Sequence, residues 1–223
     1  MTEAVWNEVD EYFTAALVPH DSALDDALAA SDAAGLPAIA VAPNQGKLLH
    51  LLARMRGARR ILEIGTLGGY STIWLARALP TGGRLVTVEY STKHAEVARA
   101  NIVAAGLDRL VEVRVGAALD VLPVLADVDP EPFDLVFIDA DKENNAAYFE
   151  WALRLSTVGS VIIVDNVVRG GRVVDGDSED PSVRGTRRLI EVLAAEPRVS
   201  ATAIQTVGSK SYDGFAIALV ISD

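Results

Sequence analysis

The stretch Arg60–Ser71, reading Arg-Ile-Leu-Glu-Ile-Gly-Thr-Leu-Gly-Gly-Tyr-Ser, constrains the fold more than any other part of the chain. Ile61, Leu62 and Ile64 make the short apolar run of a buried strand. The run stops at Gly65, with Gly68 and Gly69 just beyond, and residues 70–79 then read as a helix. Strand, glycine turn and helix form the opening βα unit of a doubly wound sheet. Glycines let the backbone turn tightly and approach a ligand closely, and the helix start offers free N–H groups to an anionic group. The spacing Glu-x-Gly-x-x-x-Gly differs from the dinucleotide pattern G-x-G-x-x-G, which disfavours a nicotinamide dehydrogenase and points to another nucleoside ligand. The alternative is that the glycines only shape a βα turn.

Alternation of apolar strands and helices continues through the chain. Strands are expected at 60–64, 84–89, 110–115, 133–138 and 159–164, and helices at 70–79, 92–105, 117–126 and 143–155. Such alternation implies a parallel sheet covered on both faces. Residues 3–17, 21–34 and 43–55 precede it as helices, and residues 1–58 read as a helical cover on an α/β core of 59–223, within one domain. After a helix at 182–195 come two strands, at 199–206 and 214–221, close enough for an antiparallel hairpin at a sheet edge. The whole is an α/β, Rossmann-like sheet of seven strands.

Composition removes several chemistries. With no cysteine among 223 residues there is no disulfide, thiolate nucleophile or cysteine-ligated metal. His20, His50 and His94 lack metal-ligand spacing. A net charge of −11 argues against a broad phosphate-binding face, so nucleic acid is an unfavoured partner. No apolar run is long enough to span a bilayer, and the acidic residues 1–10 are not signal-like, so a cytoplasmic protein is expected.

In an open α/β sheet, ligands bind beyond the carboxyl ends of the strands. The polar residues there are Glu63 and Gly65, then Glu89, then Asp139, Asp141 and Lys142, then Asp165 and Asn166. Glu89 lies 24 positions after Gly65 and can accept both hydroxyls of a ribose; the alternative is a helix-capping acid. Asp139, Asp165 and Asn166 would form a hard oxygen site suited to Mg²⁺, unless the two acids merely cap helices or turns. Lys142 reads either as a base beside that site or as a surface charge paired with Asp141.

Three motifs, Ile61 through Ser71, Phe133-Asp-Leu-Val-Phe-Ile-Asp-Ala-Asp-Lys142 and Val164-Asp-Asn166, together resemble the cation-dependent O-methyltransferases. That group contains the catechol and caffeoyl-coenzyme A O-methyltransferases and their bacterial relatives. The resemblance runs from about Pro43 to the C-terminus. It implies S-adenosylmethionine bound by Val41, Glu63, Gly65, Thr66, Leu67, Ser71, Glu89, Ala118 and Asp139. It implies Mg²⁺ or another divalent cation on Asp139, Asp165 and Asn166, with Lys142 and Asp139 as the catalytic pair. The implied reaction is methyl transfer to a hydroxyl of a small catechol-like aromatic acceptor, by a homodimer. A tRNA hydroxyuridine methyltransferase and a non-catalytic cofactor-binding protein are the alternatives. Ala118, Leu119, Asn145 and Arg169 depart from the family pattern, the last two near the acceptor side.

Overall fold

A computed structural model describes residues 3–223. Three helices come first: α1 (Glu3–Leu17), α2 (Ser22–Ala33) and α3 (Pro43–Arg56). Asp21 caps α2 by accepting from the backbone N–H groups of Ala23 and Leu24, and Pro43 opens α3, where a missing N–H costs nothing. The core then alternates: β1 (Arg60–Ile64), α4 (Tyr70–Ala76), β2 (Arg84–Glu89), α5 (Thr92–Ala104), β3 (Val111–Val115), α6 (Ala118–Val128), β4 (Phe133–Ile138), α7 (Asn145–Arg154), β5 (Ser156–Asp165), α8 (Pro181–Ala195), β6 (Val199–Gly208) and β7 (Ser211–Val220).

The seven strands lie in the order β3-β2-β1-β4-β5-β7-β6. The first five are parallel, and β7 runs antiparallel to both β5 and β6. Period-two alternation divides the strand residues between two cores. Leu62, Val86, Val136 and Ile162 pack under α6, α7 and α8, while Ile61, Leu85, Leu135 and Ile163 pack under α2 to α5. Both sides of each central strand are therefore buried, which is why these strands read as continuous apolar runs.

Several boundaries differ from the sequence expectation. The helix expected at 143–155 begins as a 3₁₀ turn, Lys142–Asn144, before α7. Strand β5 starts at Ser156, with Gly159 at φ +89° where the pairing with β4 slips. The hairpin turn is only Ser209-Lys210, because Gly208 already pairs with Ser211. Helix α1 contributes no buried residue and leaves Tyr12, Phe13 and Leu17 exposed. Among the described residues no helix is long and apolar enough to cross a membrane.

Candidate active site

Sheet order reverses between β1 and β4, and a crevice opens at such a point beyond the strand ends. Gly65 sits on it. Its φ is +100°, and a Cβ there would stand 2.2 Å from the carbonyl oxygen of Asp139, so the ends of β1 and β4 close together only over glycine. Gly68 is confined in the same way by Ser31 of α2, 2.0 Å from where its Cβ would be. Two of the three glycines thus have packing duties that the sequence motif does not reveal.

Glu89, at the end of β2, holds the glycine loop. Its Oε2 accepts from the backbone N–H of Thr66 (3.1 Å) and Leu67 (2.8 Å), and its Oε1 accepts from Ser91 N–H at 2.9 Å. Leu67 needs that support, since its φ is +51°. From the far side, Asn101 of α5 donates to the Gly68 carbonyl at 2.9 Å. The Glu89 carbonyl in turn accepts from Gly116 N–H, which seats the β3–α6 turn and Ala118 next to it. Val41, in the connection just before α3, and Ala118, the first residue of α6, are both buried.

Glu63 is fully enclosed and accepts from three hydroxyls, Ser71 (2.6 Å), Thr87 (2.7 Å) and Thr72. Burial, opposed by those hydrogen bonds and helped by the charge of Asp139, pushes its carboxyl up to about 7. Ser71 therefore spends its proton on Glu63.

Beyond β4 and β5 the acidic residues converge. The strands pair in parallel to Ile138 and Val164, so Asp139 and Asp165 leave the sheet side by side. Lys142 Nζ donates to Asp139 Oδ1 at 2.6 Å. It does not pair with Asp141, whose carboxylate accepts from Tyr148 and Asn144. The turn carrying Lys142 is pressed from outside by α8, where Gly185 lies so close that a Cβ would come within 2.2 Å of the Lys142 carbonyl oxygen. Asp165 is nearly buried, and desolvation together with the charge of Asp139 raises its carboxyl to about 7. Its Oδ1 accepts from Asn166 N–H (2.8 Å) and its Oδ2 from Gln45 Nε2 (2.7 Å). Asn166 takes φ +59°, a conformation asparagine tolerates better than most residues.

Two carboxylates and a carboxamide at one strand edge suit a hard divalent cation. Among the described residues no three His, Cys, Asp or Glu side chains cluster to hold a metal, so the carboxamide is needed to complete this set. The pair also calls for positive charge, since the charge of Asp139 disfavours the ionised form of Asp165. A cleft of about 230 Å³ opens beside it, lined by Gln45, Leu48, Asp165, Asn166, Val207 and Phe215.

A family profile described as O-methyltransferase matches residues 20–219. The chain belongs to that family. The catechol O-methyltransferase of Mycobacterium tuberculosis is 58% identical over 213 residues, 96% of this chain and 95% of that one. The structure of an O-methyltransferase from Bacillus cereus in complex with SAH superposes with a TM-score of 0.97 at 60% identity, covering 98% of this chain and all of the other. That of the Streptomyces achromogenes O-methyltransferase TomG, involved in tomaymycin synthesis and in complex with SAM, has a TM-score of 0.96 at 55% identity over the full length of both.

Three anchors of this O-methyltransferase escaped the sequence reading: Gln45 on Asp165, Asn101 on the glycine loop, and Asp213, whose Oδ1 accepts from the backbone N–H groups of Val168 (2.9 Å) and Arg169 (3.0 Å) just past Asn166. Asn101 alone left a trace, a polar residue on the apolar stripe of Ala95, Ala98 and Ile102. The Arg169 guanidinium lies 3.9 Å from Asp213 and 3.4 Å from the Ser182 hydroxyl, so it braces the loop.

Proposed function

We propose that this O-methyltransferase moves the methyl group of S-adenosylmethionine to one hydroxyl of a small catechol-like acceptor, with a divalent cation, most simply Mg²⁺, on Asp139, Asp165 and Asn166. The observation that carries the reading is the side-by-side exit of Asp139 and Asp165 from paired strands, with Lys142 at 2.6 Å from Asp139. The B. cereus structure in complex with SAH and the S. achromogenes structure in complex with SAM support the cofactor, and the catechol O-methyltransferase of M. tuberculosis supports the acceptor class.

Each residue then has a task. Glu89 accepts one ribose hydroxyl on the lone pair of Oε1 that Ser91 leaves free, since Thr66 and Leu67 already fill Oε2. Gly65, Thr66 and Leu67 present the loop under the cofactor, Val41 and Ala118 border it, and Ser71 with Glu63 backs it. Leu48, Val207 and Phe215 give the cleft apolar walls for a flat ring. A bound divalent cation would supply Lewis acidity and a template for two adjacent oxygens. Lys142, as the neutral amine once its ammonium proton has passed to solvent, receives the hydroxyl proton, and the fixed strand ends align oxygen, methyl and sulfur, an effect of positioning.

The exposed aromatic and aliphatic side chains of α1 support a homodimer. A nucleic-acid acceptor is a weaker reading, because three arginines past the site are engaged, Arg172 with Asp180 (2.7 Å), Arg188 with Glu191 (3.1 Å) and Arg187 with the Val173 carbonyl (2.7 Å), which leaves no broad basic face on a chain of net charge −11.

The test is transfer of a labelled methyl group to a catechol and to a monohydroxy analogue, with and without chelator. Transfer to the catechol that chelator abolishes and Mg²⁺ restores is expected. Equal transfer to both acceptors in excess chelator would refute the metal-centred reading.

A further inference from the structure

The helical cover reaches into the proposed metal centre at one point. Gln45, in the first turn of α3, donates from Nε2 to Asp165 Oδ2 at 2.7 Å across 120 positions of sequence. Asp165 Oδ1 is occupied on one side by the N–H of Asn166. Each carboxylate oxygen has two lone-pair directions, so with one protein donor apiece both keep one direction for a cation. Two donors on opposite oxygens also fix the rotation of the carboxylate plane.

Gln45 is itself held in place. Gly46 lies against the Trp74 indole so tightly that a Cβ would come within 2.4 Å of it, which sets the first turn of α3 flat on α4. The Gln45 backbone N–H donates to Asn44 Oδ1 at 2.9 Å, and Asn44 Nδ2 donates to Asp10 Oδ1 at 2.8 Å. Asp10 Oδ2 accepts from Ser209 N–H at the tip of the β6–β7 hairpin, also at 2.8 Å. A continuous line of hydrogen bonds therefore runs from hairpin tip through α1 and α3 to the carboxylate.

We propose that Gln45 is a positioning residue for Asp165, holding that carboxylate in the orientation that binds the divalent cation. The proposal rests on the metal-centred reading above. The residue type fits the task. A carboxamide donates a hydrogen bond without carrying charge, so Asp165 keeps its full attraction for the cation. An ammonium at this place would repel the cation, and a carboxylate could not donate. Partners of this kind around a metal ligand typically govern affinity by about 10- to 100-fold.

The experiment measures Mn²⁺ affinity of the full chain by the electron paramagnetic resonance of free Mn²⁺, and SAH affinity by calorimetry. Gln45→Leu keeps the bulk and removes the donor, and Gln45→Ala, at a partly exposed position, is the second variant. Both should bind Mn²⁺ about 10- to 100-fold more weakly, with SAH affinity retained. In turnover, read at saturating acceptor because Gln45 also lines the cleft, the Mg²⁺ concentration for half-maximal rate should rise. Loss of SAH and Mn²⁺ affinity in parallel would mean a general disturbance of α3, and unchanged Mn²⁺ affinity would mean no role; either overturns the proposal. If the wild type itself binds no Mn²⁺, the metal-centred reading fails and this inference falls with it.

Discussion

Lys142 Nζ lies 2.6 Å from Asp139 Oδ1, with the lysine side chain 10% exposed and its turn clamped under Gly185 of α8. A short turn links the two residues, and α8 packs on that turn from outside, so local backbone and long-range packing together set the distance. The pair puts the proposed proton acceptor and a proposed cation ligand at the same strand end. Whatever binds Asp139 therefore also acts on Lys142.

Removing the base should slow the chemistry without emptying the site. We expect Lys142→Ala to lower turnover by about 10²–10⁴, the usual range for general acid–base catalysis. Activity should recover partly at higher pH, where the acceptor hydroxyl ionises unaided. A pH–rate profile of the variant checks this, and a flat profile would show that Lys142 does not take the proton.

Asp165 should separate metal from cofactor. It is nearly buried and none of its hydrogen bonds goes to the glycine loop. Asp165→Ala is expected to abolish turnover and divalent cation binding while SAH binding largely survives. Asp139→Ala should damage both, since its carboxylate, paired with Lys142, is the group proposed to hold the cation and to face the cofactor. Paired titrations with SAH and Mn²⁺ distinguish the two variants.

Glu89 holds the glycine loop and is proposed to hold the ribose, and its variants should show both. Losing the ribose bond should weaken cofactor binding by roughly 1.5–3 kcal/mol, about ten- to a hundred-fold. Glu89→Ala also strips the carboxylate from the N–H groups of Thr66, Leu67 and Ser91. Leaving the buried Thr66 donor unpaired costs about 1–3 kcal/mol, and the part-buried donors of Leu67 and Ser91 add less. The variant should therefore melt earlier even without cofactor. An unchanged melting temperature would mean that the glycine loop stands without Glu89.

The reach of the sequence can be judged from these same residues. Asp139, Asp165 and Glu89 were legible because each closes an apolar strand, and sheet topology brings strand ends together. Gln45, Asn44 and Asp10 were not legible, because their partners lie in distant elements and no periodicity marks them. Gly65 and Gly68 were legible as a motif but only half understood, since the atoms that exclude a Cβ belong to Asp139 and Ser31. The hairpin was read with a seven-residue connection because Gly208, Asp213 and Gly214 carry turn chemistry, yet cross-strand pairing extends through all three.

Helix α1 gives an expectation about assembly. Tyr12 and Leu17 are 71% and 67% exposed, and Phe13 is nearly half exposed. A helix with no buried residue, held chiefly through Asp10, is a poor unit by itself. Light scattering of the wild type should give twice the chain mass, and Tyr12→Ser with Phe13→Ser should shift it toward the monomer. A wild-type monomer at micromolar concentration would remove the homodimer.

The enclosed acid Glu63 predicts how stability depends on pH. Its carboxyl is raised from 4.5 to about 7, chiefly by desolvation, with the three hydroxyl donors opposing and Asp139 adding to the rise. Between those two values the folded chain holds a proton that the unfolded chain releases. Stability from this group is thus fully present below about pH 4.5 and is lost as pH rises through about 7, with a slope of at most ~1.4 kcal/mol per pH unit. Asp165 is shifted in the same direction, so in chelator it adds to the same decline. Denaturant unfolding of cofactor-free protein at pH 5, 6, 7 and 8 should show wild-type stability falling across the series. Glu63→Gln should flatten the fall in part, because the amide keeps the shape and cannot ionise, and Glu63→Gln with Asp165→Asn should flatten it further. Added Mg²⁺ should favour ionised Asp165 and so shrink only the share of the decline that Asp165 contributes. Parallel curves for wild type and Glu63→Gln would show that Glu63 does not change its proton in this window.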